Sequence, residues 1–331
     1  MRALVEKIAW VVLAIALGIW PREGADYPSY ASWVDVFASR DVYQLQSTTI
    51  SPVGVPVSQW SHAPALITNA IDRALSVVPF VQTGLHSVAW LAAIVFWWAL
   101  IGIVRTITNG RPVLFLLTLG MVYIGTPAGF YSIHHSSETF SLACFSLATF
   151  LALSAPAGRL RDTFFIGIAC GLLLIVRVNL AMYLPMPVAI RAFVLWRDRG
   201  ERPNVRQLVL HALVLGVPLL AFASQLPFFN YWMTGSHSQS PYVYGDDDFR
   251  SMDFKHPLFA AVLVHPWHGL LAYHPLFALG AVALVALALR RSLPITERIL
   301  ALLGMFAVLA HLYLQAAWWC WWVGTGTFGS R

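Results

Sequence analysis

The sequence predicts an all-α fold, a polytopic integral membrane protein of about nine transmembrane helices read as one domain over residues 1–331. Three observations lead there. Hydrophobic residues make up 58% of the chain and charged residues 11%, whereas soluble domains run near a quarter charged, so this surface is too poor in charge to face water. The apolar residues fall in nearly charge-free blocks of roughly seventeen to twenty, the length that crosses ~30 Å of hydrocarbon. Lys and Arg gather in alternate connections between those blocks, as the positive-inside rule requires. The net charge of +6 is therefore a property of the two membrane faces and implies no nucleic-acid partner.

The first block, residues 4–20, follows basic residues as a signal peptide would, but runs into Trp20-Pro21 with no convincing small-x-small cleavage site. It reads as an uncleaved first span with its N-terminus in the cytoplasm. Further spans are expected at 86–104, 112–131, 138–154, 207–224, 270–289 and 297–315. Three cysteines, Cys144, Cys170 and Cys320, lie at unrelated spacings in apolar surroundings and read as small buried hydrophobes.

The stretch 163–196 is long for one helix and minimal for two, with Arg177 near its middle and Asn179, Pro185 and Pro187 after it. Charge decides between the two counts. Two short spans turning near Arg177–Asn179 leave fourteen Lys/Arg on the cytoplasmic side and seven outside. A single span reverses that bias and strands Arg177 in lipid, at a cost of at least ~2.5 kcal/mol. Two spans are therefore expected.

In this topology the cytoplasmic connections are short and basic, and ten of the fifteen Asp/Glu lie on the outer side. The outer loops 21–85 and 225–269 are the longest, and function concentrates in long loops. They hold short amphipathic pieces at 65–75 and 257–267 of the kind that lie in the membrane interface. Trp20, Trp90, Trp232 and Trp267 fall near outer boundaries, as an aromatic belt would.

Several outer residues have chemistry to offer. Asp26 and Tyr27 follow the first span; a carboxylate there serves either as a general base or as a helix cap. In "YSIHHSSETF", Ser136 or Ser137 with Glu138 marks a helix start. His134, His135 and Glu138 either group for a divalent metal or belong to an ordinary interfacial loop. Arg177, with Asn179, is placed to clamp an anion where a short helix ends, or to pair with Glu138 or Asp26. Asp246, Asp247 and Asp248 offer oxygen ligands but read better as a solvated loop. Ten of the eleven histidines lie toward the outer side, with His134, His135 and His268 singled out.

Two later stretches, "FFNYWMTGSHSQSPYVY" and "HPWHGLLAYHPLFALGAVAL", carry Asn230, Tyr231, Gly235, Ser236, Tyr244, Gly269, Leu270, Leu271, Tyr273 and Pro275. In that order they resemble a paired signature of bacterial GT-C type membrane glycosyltransferases, the polyprenyl-phosphate-sugar-dependent enzymes of the aminoarabinose- and mannosyltransferase kind. The run "GIACGLLLIVRVNLAMYLP" is similar to their Gly-rich span ending in Arg, and "WWCWWVGTGTFGSR" to their Trp-rich loop ending in Phe-Gly-x-Arg.

The resemblance implies Asp26 as catalytic base, Glu138 as a second acid, and Arg177 and Arg331 as phosphate-binding cations. Tyr27, His134, His135, Asn179, Asn230, Tyr244, His268 and Tyr273 would help bind substrate. It implies transfer, with inversion, from a polyprenyl-phosphate sugar donor to a lipid, glycan or protein acceptor. The setting would be the outer face of a bacterial inner membrane, with no certain cofactor beyond a possible divalent metal. Relatives of this type continue past Phe-Gly-x-Arg, so a chain cut short at Arg331 is expected. The competing expectations are a transporter or flippase-like protein for an anionic lipid or solute, which would show internal repeats not seen here, and an inactive fragment.

Overall fold

The computed structural model describes residues 9–16, 22–23, 32–36, 39–40, 54, 62–75, 85–132, 134–135, 137–156, 158–197, 205–238, 253–265 and 269–317. Within them the chain is helical apart from one two-residue parallel pairing of Arg22–Glu23 with His134–His135. Helical residues 9–16 form α1 and 32–36 form α2. There follow α3 (Ala63–Leu75), α4 (Leu85–Ile107), α5 (Pro112–Gly125), α6 (Pro127–Ser132), α7 (Ser137–Ser154) and α8 (Leu160–Val176). A 3₁₀ segment, Val178–Tyr183, leads into α9 (Pro185–Arg197), α10 (Val205–Ala223) and α11 (Gln225–Thr234). The described chain closes with α12 (Phe259–Val264), α13 (Leu270–Tyr273), α14 (Leu276–Leu289) and α15 (Ile295–Ala317).

Among the described residues five segments are long and apolar enough to cross a membrane: Ser87–Ile107, Ser137–Ser154, Val178–Trp196, Val205–Thr234 and Ile295–Ala317. Pro112–Ile124 and Leu276–Leu289 are shorter apolar helices. Their outward residues are apolar too: Leu116, Leu117 and Ile124 on α5, and Leu279, Val282 and Leu289 on α14, are exposed. Helices apolar on both faces suit a lipid surround rather than water.

α7 packs against α4, α8 and α9. It can do so because its buried positions, apart from Phe140, are small: Ser137, Thr139, Ser141, Ala143, Cys144, Ser146, Ala148 and Ala152. Small side chains let membrane helices approach closely, and the serine hydroxyls are satisfied within the helix; Ser141 and Ser146 donate to the Ser137 and Leu142 carbonyls at 2.7 and 2.6 Å. α8 meets α10 through Gly167 and Gly171, four residues apart. A Cβ at Gly167 would run into the Leu215 carbonyl and stand 2.7 Å from Pro218 Cγ, and one at Gly171 would stand 2.6 Å from Phe222 Cδ2. Only glycine permits this contact.

Two expected spans are interrupted. The span at 112–131 breaks at Thr126, whose hydroxyl accepts the Ala128 N–H and caps α6, with Pro127 in the first turn. α6 then folds back so closely that a Cβ at Gly129 would meet the Tyr123 carbonyl. The span at 270–289 divides at His274-Pro275 into α13 and α14. The stretch 163–196 divides as expected, at Arg177. The outer loop at 225–269 begins as helix, because α11 continues α10 beyond Ser224 as far as Thr234.

At the end of α8–α9 opposite Arg177, the guanidinium of Arg191 is buried and fully engaged. It donates to the carbonyls of Ala155, Pro156 and Arg159 at 2.8, 3.0 and 3.3 Å, and to Thr163 Oγ1 at 3.1 Å. Thr163 Oγ1 lies 2.7 Å from His211 Nδ1. A cation on the carbonyls just beyond the last residue of α7 answers the negative end of that helix.

Candidate functional site

α8 stops at Val176 because Arg177 takes an extended conformation (φ −150°, ψ 99°), although its N–H still reaches the Leu173 carbonyl at 3.0 Å. The 3₁₀ turns that follow end where Pro185 opens α9. This break turns the Arg177 side chain inward, toward the first turn of α7. There Glu138 meets it: Arg177 Nη1 donates to Glu138 Oε1 in an ion pair. Glu138 is positioned by the N-terminus of α7, whose dipole favours an anion, and its second oxygen accepts from Ser137 Oγ at 3.3 Å. The two side chains are 12% and 21% exposed, enclosed but still open to the space beside them.

That space is a cavity of about 430 Å³ bounded by α7, α8, the 3₁₀ segment and α12–α15. Glu138 and Arg177 occupy its wall with Ser141, Tyr183, His274, His311 and Gln315; Leu142, Phe145, Leu173, Leu270, Phe277 and Leu312 supply apolar surface. His274 is buried at the α13–α14 break. His311 lies against Tyr183, ring centroids 5.8 Å apart, and Gln315 follows one turn later on α15. Gly269 permits the tight approach into α13: its N–H donates to the His265 carbonyl at 2.7 Å, and a Cβ there would strike the His265 backbone. A charged pair beside an extended apolar lining is chemically suited to an amphiphile with an anionic head.

Of the residues expected at a site, Glu138 and Arg177 are brought together. Asn179 is exposed on the 3₁₀ segment, away from the cavity wall. Asn230 serves the end of α11: its Nδ2 donates to the His237 carbonyl at 3.4 Å, beside the Thr234 hydroxyl bonds and left-handed Gly235 (φ 76°) that close the helix. His134 and His135 have a described backbone, paired to Arg22–Glu23, and Tyr273 ends α13; their side chains lie outside the described residues. Asp26, Tyr27, Tyr244, His268 and Arg331 also lie outside them, as do Asp246, Asp247, Asp248 and Cys320. Among the described residues no group of three His, Cys, Asp or Glu is placed to hold a metal ion.

His274, His311 and Gln315 are cavity residues that sequence reasoning passed over. A signal existed for two of them, since His311 and Gln315 stand four apart in an otherwise apolar helix and so share one face.

No protein-family model, curated protein or solved structure matches the chain. Among the described residues, fold and cavity together define an all-helical protein with five helices able to span a membrane and an ion pair in the wall of a largely apolar cavity.

Proposed function

We propose that the protein is a GT-C type membrane glycosyltransferase that moves a sugar from a polyprenyl-phosphate donor to an acceptor on the outer face of a bacterial plasma membrane. One observation carries the reading: the Glu138–Arg177 pair lies in the wall of a mostly apolar cavity between helices. A prenyl chain would take the apolar surface and its phosphate would take Arg177.

In the reaction, the acceptor hydroxyl or amine loses its proton to Asp26 and attacks the anomeric carbon. The bond from that carbon to the phosphate oxygen breaks, and the electron pair leaves with the polyprenyl phosphate. Negative charge grows on that phosphate, and a guanidinium already aimed at it lowers the barrier. Glu138 holds Arg177 in place until the donor arrives and releases it to the phosphate. Arg331 supplies a second cation, and Tyr27, His134, His135, Tyr244, His268 and Tyr273 border the sugar and acceptor. The pairing of Arg22–Glu23 with His134–His135 supports the arrangement, since Asp26 follows the first strand by three residues and Glu138 follows the second by the same interval.

The test is transfer of labelled sugar from a polyprenyl-phosphate donor by membranes bearing wild type, Asp26→Asn, Glu138→Gln or Arg177→Gln, with and without a chelator. Loss in all three variants at normal insertion supports the reading, and loss on chelation adds a divalent metal. Activity unchanged in Arg177→Gln refutes it.

A second reading, an anionic-lipid flippase or transporter, is favoured by the helix break itself, because discontinuous helices commonly frame transport sites. Donor-independent movement of a phospholipid across proteoliposomes, without transfer, would select it.

A further inference from the structure

We propose that a second groove, formed by α2, α3 and α11 and separate from the Glu138–Arg177 cavity, binds the phosphate headgroup of an anionic membrane lipid. The groove encloses about 550 Å³ and is lined by Val36, Arg40, Leu66, Asn69, Arg73 and Trp232, with Ala70 between the last helical pair.

Its construction is specific. Leu66, Asn69, Ala70 and Arg73 recur at the spacing of one helix face, so α3 gives a whole stripe to the groove. The opposite stripe of α3, with Ala65 and Thr68, is buried. The facing wall is anchored: Val36 is buried, and Trp232 packs on Trp33 and Phe229 at ring-centroid distances of 6.4 and 5.8 Å. Trp33 itself is fully buried, with His62 at its edge, 6.1 Å between centroids. The wall therefore does not depend on a ligand to hold it.

Charge identifies the occupant. Arg40 and Arg73, from different parts of the chain, both line the groove, and paired arginines match a phosphate through parallel N–H donors. Arg40 is held with φ 59°, a backbone region that L-residues other than Asn and Asp seldom occupy and that costs roughly 1–2 kcal/mol. Asn69 adds an amide donor one turn before Arg73. The floor of Val36, Leu66 and Ala70 is apolar, and free phosphate would leave it uncovered; the first segment of an acyl chain would cover it. The exposed edge of Trp232 suits the interface between headgroup and chain. An anionic phospholipid meets both halves of the groove.

The experiment is native mass spectrometry of the full-length chain in a mild detergent, titrated with phosphatidylglycerol, phosphatidylcholine or inorganic phosphate. Wild type is expected to retain one phosphatidylglycerol at a concentration where phosphatidylcholine and inorganic phosphate do not occupy the site. Arg40→Gln/Arg73→Gln is expected to weaken that adduct by roughly tenfold or more, the equivalent of one lost charged contact. Ala70→Trp keeps both cations and fills the floor, and is expected to weaken it as well. Equal retention by the double variant overturns the proposal. Retention by Ala70→Trp alongside loss in the arginine variant also overturns it, because binding then follows surface charge rather than the groove. Displacement of the lipid by equimolar inorganic phosphate would show a phosphate site without a lipid.

Discussion

Arg177 and Arg191 lie fourteen residues apart on either side of the same 3₁₀ turn, yet they are built into the molecule in opposite ways. Arg191 is 2% exposed and spends its donors on three backbone carbonyls and Thr163. Arg177 pairs with a carboxylate and lines a cavity. A guanidinium bound to the frame stabilises; one bound to a side chain beside open space can exchange that partner for a ligand. The difference teaches that an arginine in an apolar run is not a functional residue by type. What separates the two is whether the acceptors belong to the backbone.

The largest effect that would break this comparison is at the Arg191 end. Arg191→Met leaves the carbonyls of Ala155, Pro156 and Arg159 without their charged donor, and is expected to cost about 3–5 kcal/mol. Denaturant unfolding in micelles checks it, with no selective loss of ligand binding in whatever protein folds. At the Arg177 end the pattern reverses. Arg177→Gln is expected to lower transfer by about 10²–10³-fold, the scale of a lost transition-state donor, while unfolding stability moves by about 1 kcal/mol.

A third prediction sharpens the contrast with a reporter just before α3. His62 stacks on Phe229, with centroids 3.7 Å apart, and burial pushes its imidazole down to about 4 from 6.5. The unfolded chain takes up that proton below 6.5 and the folded chain resists until about 4. The neutral ring's contribution is therefore complete above 6.5 and drains away as pH falls to 4, by up to about 3 kcal/mol. His62→Phe should flatten this part of the stability–pH curve. The smallest effect is at Asn179, exposed on the 3₁₀ segment: Asn179→Ala should change stability and transfer by less than about 0.5 kcal/mol.

The sequence disclosed the break at Arg177 because a charge, an amide and two prolines interrupt an apolar run there. It also offered Glu138 as a partner, through the helix start at Ser137. The spacing of Gly167 and Gly171 carried a signal for the close approach of α8 that sequence reasoning did not use. The breaks at Thr126-Pro127 and His274-Pro275 were harder to see, because hydropathy runs unbroken across both. The cavity wall was hardest. α5 and α14 are apolar on every side, so no periodicity distinguishes a face toward lipid from a face toward protein. His311 and Gln315 broke that uniformity, but the identity of the facing elements, α13 and the 3₁₀ segment, came only with the fold.

The most direct test is binding of a polyprenyl phosphate to the full-length chain in nanodiscs, comparing wild type, Arg177→Gln and Asn179→Ala. Saturable binding by wild type and Asn179→Ala, weakened at least about tenfold in Arg177→Gln with a melting temperature lowered by no more than a few degrees, is the predicted result. Equal binding by all three proteins would show that Arg177 is only another structural cation like Arg191, and would contradict the account.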